Sequence, residues 1–284
     1  MFYAVQQVSD HPCFEMQELI YSIFYCAVQG VEYGKDVFPD KFTKTAKLWN
    51  YLQGIRTDFA PLYADLLALG TDERKKIYSQ LIDNNMIEHF CSDNGHIPDD
   101  FINYENGIGE QIKQALSNCY KKLDLSHFRR PGCKLKPRYR YYRDYINLNK
   151  SVCPFCTINS YKNPLNPRRE DFDHYLTKSK YPLSAANMDN LIPMCSECNQ
   201  DFKKEKNILY EEDNRVVAFY PFTALSGVNI QIASNVETVL PYTRHWHVEL
   251  IAKDPVEIGK IDNWDRIFSI KNRLVNEIVQ YFEE

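Results

Sequence analysis

Apolar residues recur at helical spacing through four N-terminal stretches, Glu15 to Val28, Lys41 to Leu52, Pro61 to Leu69 and Lys75 to Met86, which predicts amphipathic helices there. Asp58 and Thr71 stand where N-caps belong, and Gly70 stands where a helix stops. A further helix is expected over Glu110 to Lys122. From Lys136 to Tyr142 charged and aromatic side chains alternate with period two, a pattern that suits a strand turning its tyrosines inward. Glu170 to Leu176 and Asn190 to Met194 predict two short strands, and Pro182, Ser184, Asn187 and Asp189 punctuate the loop between them. The breaker-free run SECNQDFKKEKN predicts a short helix with Ser196 at its cap and lysines in its last turn. Arg215 to Phe219, Val228 to Ala233 and Trp246 to Ile251 predict short strands, separated by Ser226-Gly227 and Ser234-Asn235. A helix from about Trp264 to Phe282 is expected to close the chain.

The chemistry concentrates where the elements are shortest. Two Cys-x-x-Cys pairs, Cys153/Cys156 and Cys195/Cys198, enclose Asp173-His174, and Asn199 follows the last cysteine. Two intervening residues let both thiolates of a pair reach one ion at about 2.3 Å, so the two pairs complete the tetrahedral shell of a structural Zn²⁺. Such a closed shell is a scaffold without chemistry of its own. Any chemistry falls to the polar residues it gathers: Asp173, His174, Asn190 and Asn199.

Those residues carry a resemblance. The stretch Cys153 to Lys206, about a fifth of the chain, resembles an HNH endonuclease of the ββα-metal, or His-Me finger, family. In that family an Asp-His or His-His pair ends the first strand, an Asn sits in the connecting loop, and an Asn or His opens the helix. The corresponding residues here are Asp173-His174 within FDHYLTKSKYP, Asn190 opening NLIPMCSECN, and Asn199. The resemblance implies that His174 is the general base, that Asp173 and Asn199 hold a catalytic Mg²⁺ or Mn²⁺, and that Asn190 orients the His174 loop. The chemistry agrees. An imidazole titrating near pH ~6.5 accepts a proton from water, and hard oxygen donors suit Mg²⁺ or Mn²⁺. Whether Asn190 locks the imidazole tautomer or braces the backbone is open. The family often has a lysine or a glycine soon after its Cys-Asn; here Gln200, Asp201 and Phe202 precede Lys203, which is assigned a phosphate contact, while Lys203, Lys204 and Lys206 also fit a solvated helix end.

Charge sharpens the picture. The net charge of -4 averages an acidic stretch, residues 1 to 120 at -8, with a basic segment, residues 121 to 150 at +8. In RRPGCKLKPRYRYYRDY, Arg129, Arg130, Lys134, Lys136, Arg138, Arg140 and Arg143 interleave with Tyr139, Tyr141, Tyr142 and Tyr145, pairing phosphate contacts with stacking surfaces for nucleic acid. A solvated strand with tyrosines packed inward fits the same pattern. The acidic helices are unsuited to DNA and are expected to pack on the core, dimerise or dock a partner protein.

At 284 residues, 44% hydrophobic and 25% charged, the chain can bury a sizeable core. No apolar run of membrane-spanning length and no signal-peptide pattern is present, so a cytoplasmic protein without membrane contact is expected. Cys13, Cys26, Cys91, Cys119 and Cys133 are odd in number and irregularly spaced, which suits reduced, buried thiols. His245 and His247 share one face of a strand and suit a metal less well than an ordinary surface. Ten glycines without a phosphate-binding loop argue against an ATPase within the chain.

The expected class is α+β: a helical accessory domain over residues 1–120, a basic segment over 121–150, a zinc-stapled ββα core over 151–210, and an extension of short strands and a helix over 211–284 that packs on that core. By resemblance the function is metal-dependent DNA endonuclease, leaving 5′-phosphate and 3′-hydroxyl ends. Similar chains with flanking helices serve as effectors of bacterial anti-phage defence, some beside a separate ATPase that would dock here through the N-terminal helices. Two alternatives stay open: a non-catalytic zinc module that binds nucleic acid or protein, and an RNA-cleaving nuclease using the same residues.

Overall fold

The computed structural model describes residues 3, 5–97, 107–125, 128, 134–166, 169–223, 229–236 and 244–282. The fold is α+β, with a helical N-terminal region and short strands. Helix α1, Glu15–Gln29, buries Met16, Leu19, Ile20, Ile23, Phe24 and Ala27, the i, i+3, i+4 stripe expected of an amphipathic helix. It ends at Gly30, whose φ of 73° is the left-handed conformation that glycine adopts without steric cost. Two short helices follow, α2 (Asp40–Thr43) and α3 (Ala46–Tyr51), where the apolar spacing predicts a single one. Thr45 breaks the run, and its hydroxyl caps α3 by accepting from Leu48 N–H at 3.2 Å.

Helix α4, Gln53–Ala68, starts eight residues before the predicted Pro61 and carries that proline in its interior. Asp58 is therefore mid-helix instead of a cap, and it pairs with the ammonium of Lys122. Helix α5, Thr71–Asp83, starts four residues before the predicted Lys75, so Thr71 is its first residue instead of its cap; Gly70 is the N-cap instead of a stop, and Glu73 accepts from Gly70 N–H at 3.1 Å. Helices α6 (Ile87–Ser92) and α7 (Ile108–Lys122) complete the N-terminal region. In space α1 packs on α5, and α4 packs on α7.

The basic segment corrects the period-two expectation. Pro137–Leu148 forms a helix, α8, with the proline in its first turn. Tyr141, Tyr142, Tyr145 and Ile146 make its buried stripe, a helical i, i+4 pattern that short alternation had masked.

The centre of the chain is a two-stranded antiparallel hairpin, β1 (Phe172–His174) and β2 (Leu191–Pro193), pairing Asp173 with Ile192 and His174 with Leu191. A seven-residue π-helix, Glu197–Lys203, follows, marked by the bond from Lys204 N–H to Asn199 O, 2.9 Å, five residues back. Strand, loop, strand and helix thus occur in the expected order. Ser196 provides no side-chain cap.

Beyond it, β3 (Tyr210–Glu211) and β4 (Asn214–Arg215) form a small hairpin. The expected strand Arg215 to Phe219 pairs only at its start; the chain then bonds elsewhere, Ala218 N–H to Cys91 O at 2.8 Å. A longer hairpin joins β5 (Asn229–Val236) to β6 (Arg244–Ile251). The predicted closing helix is two, α9 (Pro255–Phe268) and α10 (Ile270–Phe282), separated at Ser269 with φ 51°. One buried apolar cluster runs from Val5 near the N-terminus to Ile270 at the start of α10 and includes all four Cys-x-x-Cys thiols. Among the described residues no helix is long and apolar enough to cross a membrane.

Candidate metal centre and adjoining polar site

The first cysteine pair sits in a tight turn. Val152 and Ser160 bridge antiparallel, Cys153 N–H donates to Asn159 O at 2.9 Å, and Thr157 N–H donates to Cys153 O at 2.8 Å, with Thr157 forced to φ 58°. The second pair opens the π-helix, Asn199 N–H donating to Cys195 O at 3.0 Å. All four thiols are buried, and their Sγ atoms lie within 4.8 Å of one another. A tetrahedral ion with bonds of about 2.3 Å sets its sulfurs roughly 3.8 Å apart; Cys156 and Cys195 Sγ lie 3.9 Å apart. That spacing is far beyond a disulfide bond of about 2.05 Å. The cluster fits a structural metal such as zinc.

Two side chains outside the cluster donate to its sulfurs: Asn159 Nδ2 to Cys195 Sγ at 3.7 Å and Arg273 to Cys198 Sγ at 3.2 Å. Arg273 comes from α10, is buried, pairs with Glu197 at 2.8 Å and lies 4.3 Å over the Phe202 ring. From α9, Trp264 Nε1 donates to Phe155 O at 3.0 Å within the first knuckle. Helices α9 and α10 therefore pack on the cysteine centre, and Arg273 escaped sequence reasoning because a lone arginine in a helix carries no local signal.

The hairpin sets Asp173 and His174 side by side at the end of β1. His174 Nε2 lies 3.0 Å from Ala185 O. A carbonyl only accepts, so in the neutral ring Nε2 carries the proton and Nδ1 keeps its lone pair. Burial pushes the imidazole down to about 4, so it is neutral at pH 7. The ring meets the Tyr120 ring edge-on at 4.6 Å, so the α7 helix of the acidic region reaches the site directly. Tyr120 in turn lies under the Arg138 guanidinium at 5.2 Å and the Lys178 ammonium at 5.9 Å.

Asn190 is fully buried and braces the backbone. Its Oδ1 accepts from Leu176 N–H at 2.7 Å, and its Nδ2 donates to Leu176 O at 2.9 Å and to Ser184 Oγ at 3.2 Å. Both ends of the loop after His174 are thus tied to the start of β2, and Ala185, which fixes the imidazole, lies just beyond the tie. Asn199, half-buried, occupies the first turn of the π-helix.

Lys203 corrects an expectation. It is fully buried and cannot be a surface phosphate contact. Its Nζ lies 2.8 Å from Asp173 Oδ2 and donates to His174 O at 2.9 Å. Asp173 nevertheless titrates at about 6, because desolvation outweighs the ammonium beside it. Lys206 is exposed but engaged, donating to Ile267 O at 3.1 Å at the end of α9, and Lys204 is exposed as well.

The other proposed contacts divide. Lys134 and Lys136 are exposed. Arg138 pairs with Asp124 at 3.0 Å and Arg140 with Asp144 at 3.3 Å. Arg129, Arg130 and Cys133 lie outside the described residues. The tyrosines correct the stacking expectation: Tyr141, Tyr142 and Tyr145 have no exposed surface for a base, while Tyr139 is partly exposed. His247 is exposed beside Glu249 at 3.7 Å, and the His245 side chain lies outside the described set. Cys13, Cys91 and Cys119 are buried free thiols, and Cys26 is partly exposed.

Comparison with known proteins adds one partial likeness. A stretch of 90 residues is 32% identical to protein Ea31 of Escherichia phage lambda, covering 31% of this chain and 27% of that protein. The chain therefore spans about a quarter of the length of the relative it matches. No protein-family model matches, and no solved structure does.

Proposed function

We propose that this chain is a metal-dependent endonuclease of HNH type that hydrolyses phosphodiester bonds in DNA, with His174 as general base. The supporting observation is the juxtaposition at the end of β1. A neutral imidazole has Nε2 committed to Ala185 O and Nδ1 left as acceptor, and a buried carboxylate stands beside it. In this role Nδ1 takes the proton of an attacking water, and general-base catalysis of this kind contributes roughly 10²- to 10⁴-fold. Asn190 holds the loop that fixes the ring, and the four-cysteine centre, filled by Zn²⁺, holds the hairpin against the helix.

The catalytic cation fits the donor chemistry. Desolvation raises the pKa of Asp173 despite Lys203, so the buried carboxylate is only partly compensated, and Asp173 with the Asn199 side-chain oxygen would hold Mg²⁺ or Mn²⁺. When bound, the ion neutralises charge on the phosphate and the departing oxygen. Lys178 and the exposed Lys134 and Lys136 supply the phosphate-facing charge, while Arg138 is already paired with Asp124. A defence effector, docked to a separate ATPase through the acidic helices, is the biological setting that the resemblance suggests.

The test is cleavage of supercoiled plasmid, single-stranded DNA and RNA with Mg²⁺ or Mn²⁺, comparing wild type with His174→Ala at equal zinc content. We expect cutting by wild type and a loss of roughly 10²-fold or more in the variant. Equal cutting by both would overturn the assignment. One observation favours a second reading: the buried Asp173–Lys203 pair is also what a non-catalytic zinc module would use as a strut. That module predicts nucleic-acid or protein binding unaltered by His174→Ala, with no cutting by either form.

A further inference from the structure

Lys203 is an unusual occupant of its position. An ammonium without any exposed surface is costly to bury, and it is tolerated only where its charge and its donors are matched. Here the matching groups are one oxygen of Asp173, at 2.8 Å, and the backbone oxygen of His174, at 2.9 Å. The lysine therefore binds both members of the Asp-His pair at once. It comes from the same π-helix as Asn199, four residues further on, so one short element carries both a neutral amide oxygen and a fixed positive charge.

We infer that Lys203 is a positioning residue for the cation site, occupying Asp173 Oδ2 so that a divalent ion is bound through Oδ1 alone. This rests on the nuclease reading above. One-oxygen binding has a consequence for metal choice. Mg²⁺ and Mn²⁺ are satisfied by one oxygen from each ligand in an octahedral shell, whereas Ca²⁺ takes six to eight oxygens and readily uses both oxygens of a carboxylate. The Lys203 ammonium, 2.8 Å from Oδ2 as an ion pair, opposes chelation by both oxygens of Asp173, and the site discriminates against Ca²⁺. The fixed ammonium also repels the incoming ion, so affinity is given up for selectivity and for a rigid strand end. A lysine acting only as a strut would have no bearing on which ion is bound.

Calorimetric titration of zinc-loaded protein with Mn²⁺ and with Ca²⁺ tests this, using wild type, Lys203→Gln, Lys203→Arg and, as the control for location, Asp173→Asn. Lys203→Gln is expected to bind Ca²⁺ at least roughly tenfold more tightly while gaining less for Mn²⁺, because the second carboxylate oxygen is released and the repulsion is removed. Its Mg²⁺-dependent cutting should fall even so. Lys203→Arg should keep the wild-type preference. Unchanged Mn²⁺ to Ca²⁺ discrimination in a folded Lys203→Gln would overturn the inference and leave the nuclease reading standing. Absence of any Asp173-dependent Mn²⁺ binding in wild type would overturn both. Should Lys203→Gln not fold, infrared difference spectra of the wild type with and without Mn²⁺ decide the point. Widely split carboxylate stretches mean one-oxygen binding, and a narrow splitting means chelation and the end of the proposal.

Discussion

At the scale of single residues the site is a set of opposed titrations. Burial lowers His174 from about 6.5 to about 4 and raises Asp173 from 3.8 to about 6. For a base with a depressed folded pKa, the unfolded chain binds more protons between those two values, so stability is lost as pH falls through the window. For the acid with a raised pKa the sign reverses, and stability is lost as pH rises from about 4 to 6. The two slopes oppose each other, and removing one exposes the other. Replacing His174 by Gln should therefore remove an acid-side penalty. Relative to the variant, wild type should lose about 1–2 kcal/mol between pH 8 and pH 5, allowing for partial exposure of the ring. Denaturant melts of both proteins without added divalent ion check this, and taking the difference cancels acid release of zinc. Parallel stability curves would mean that the ring is not buried in the free protein. Asp173, His174 and Asn190 were legible because the motif that carries them is local. Lys203 was not, since a lysine late in a polar helix reads as solvated, and only the fold shows which lysine turns inward.

At the scale of elements, what decides each outcome is whether the relevant pattern is long enough to have one period. Helix α1 has four turns of apolar stripe and is legible almost to the residue. Over Lys136 to Tyr142, seven residues are compatible with period two or 3.6, and the choice falls to burial of Tyr141, Tyr142 and Tyr145 together, which only a helix provides. The break at Ser269 is likewise tertiary: Asp265 accepts from Lys271 N–H at 2.8 Å across it, and the turn aims α10 so that Arg273 reaches Cys198. That aim carries a prediction. A donor to a metal-bound thiolate from outside the ligand shell typically sustains 10- to 100-fold in metal affinity. Arg273→Leu should release zinc to a chelator roughly tenfold faster than wild type, with secondary structure retained. Arg273→Lys should recover some of the loss, because a single ammonium can reach Cys198 but does not span Cys198 and Glu197 as the two ends of the guanidinium do. Equal release rates in all three would reduce Arg273 to ordinary packing.

At the scale of the whole molecule the boundaries at 120, 150 and 210 mark changes of composition, while the buried core crosses them. Asn85 in the acidic region donates to Leu183 O at 3.2 Å and accepts from Asn187 at 3.0 Å, both in the loop that carries Ala185. The Arg215 side chain, from the C-terminal extension, donates to Asp93 O at 3.2 Å just after α6, and Tyr120 of α7 contacts His174 itself. Such contacts are invisible to composition, which is why a domain division drawn from charge misses them. They imply that the helical region is held in place by the hairpin loop, and the loop by the metal centre. Metal binding to a site absent from the unfolded chain adds directly to folding free energy, so the dependence should propagate. Extracting zinc is expected to speed amide exchange in α1 and α7 together with the hairpin, as one cooperative unit. Hydrogen exchange of peptides from residues 15–29, 108–122 and 172–193, before and after chelation, would show it. If the first two stay protected while the third opens, the helical region folds alone and is free to act as a separate docking module; if all three open together, a partner bound to those helices also senses the state of the metal centre.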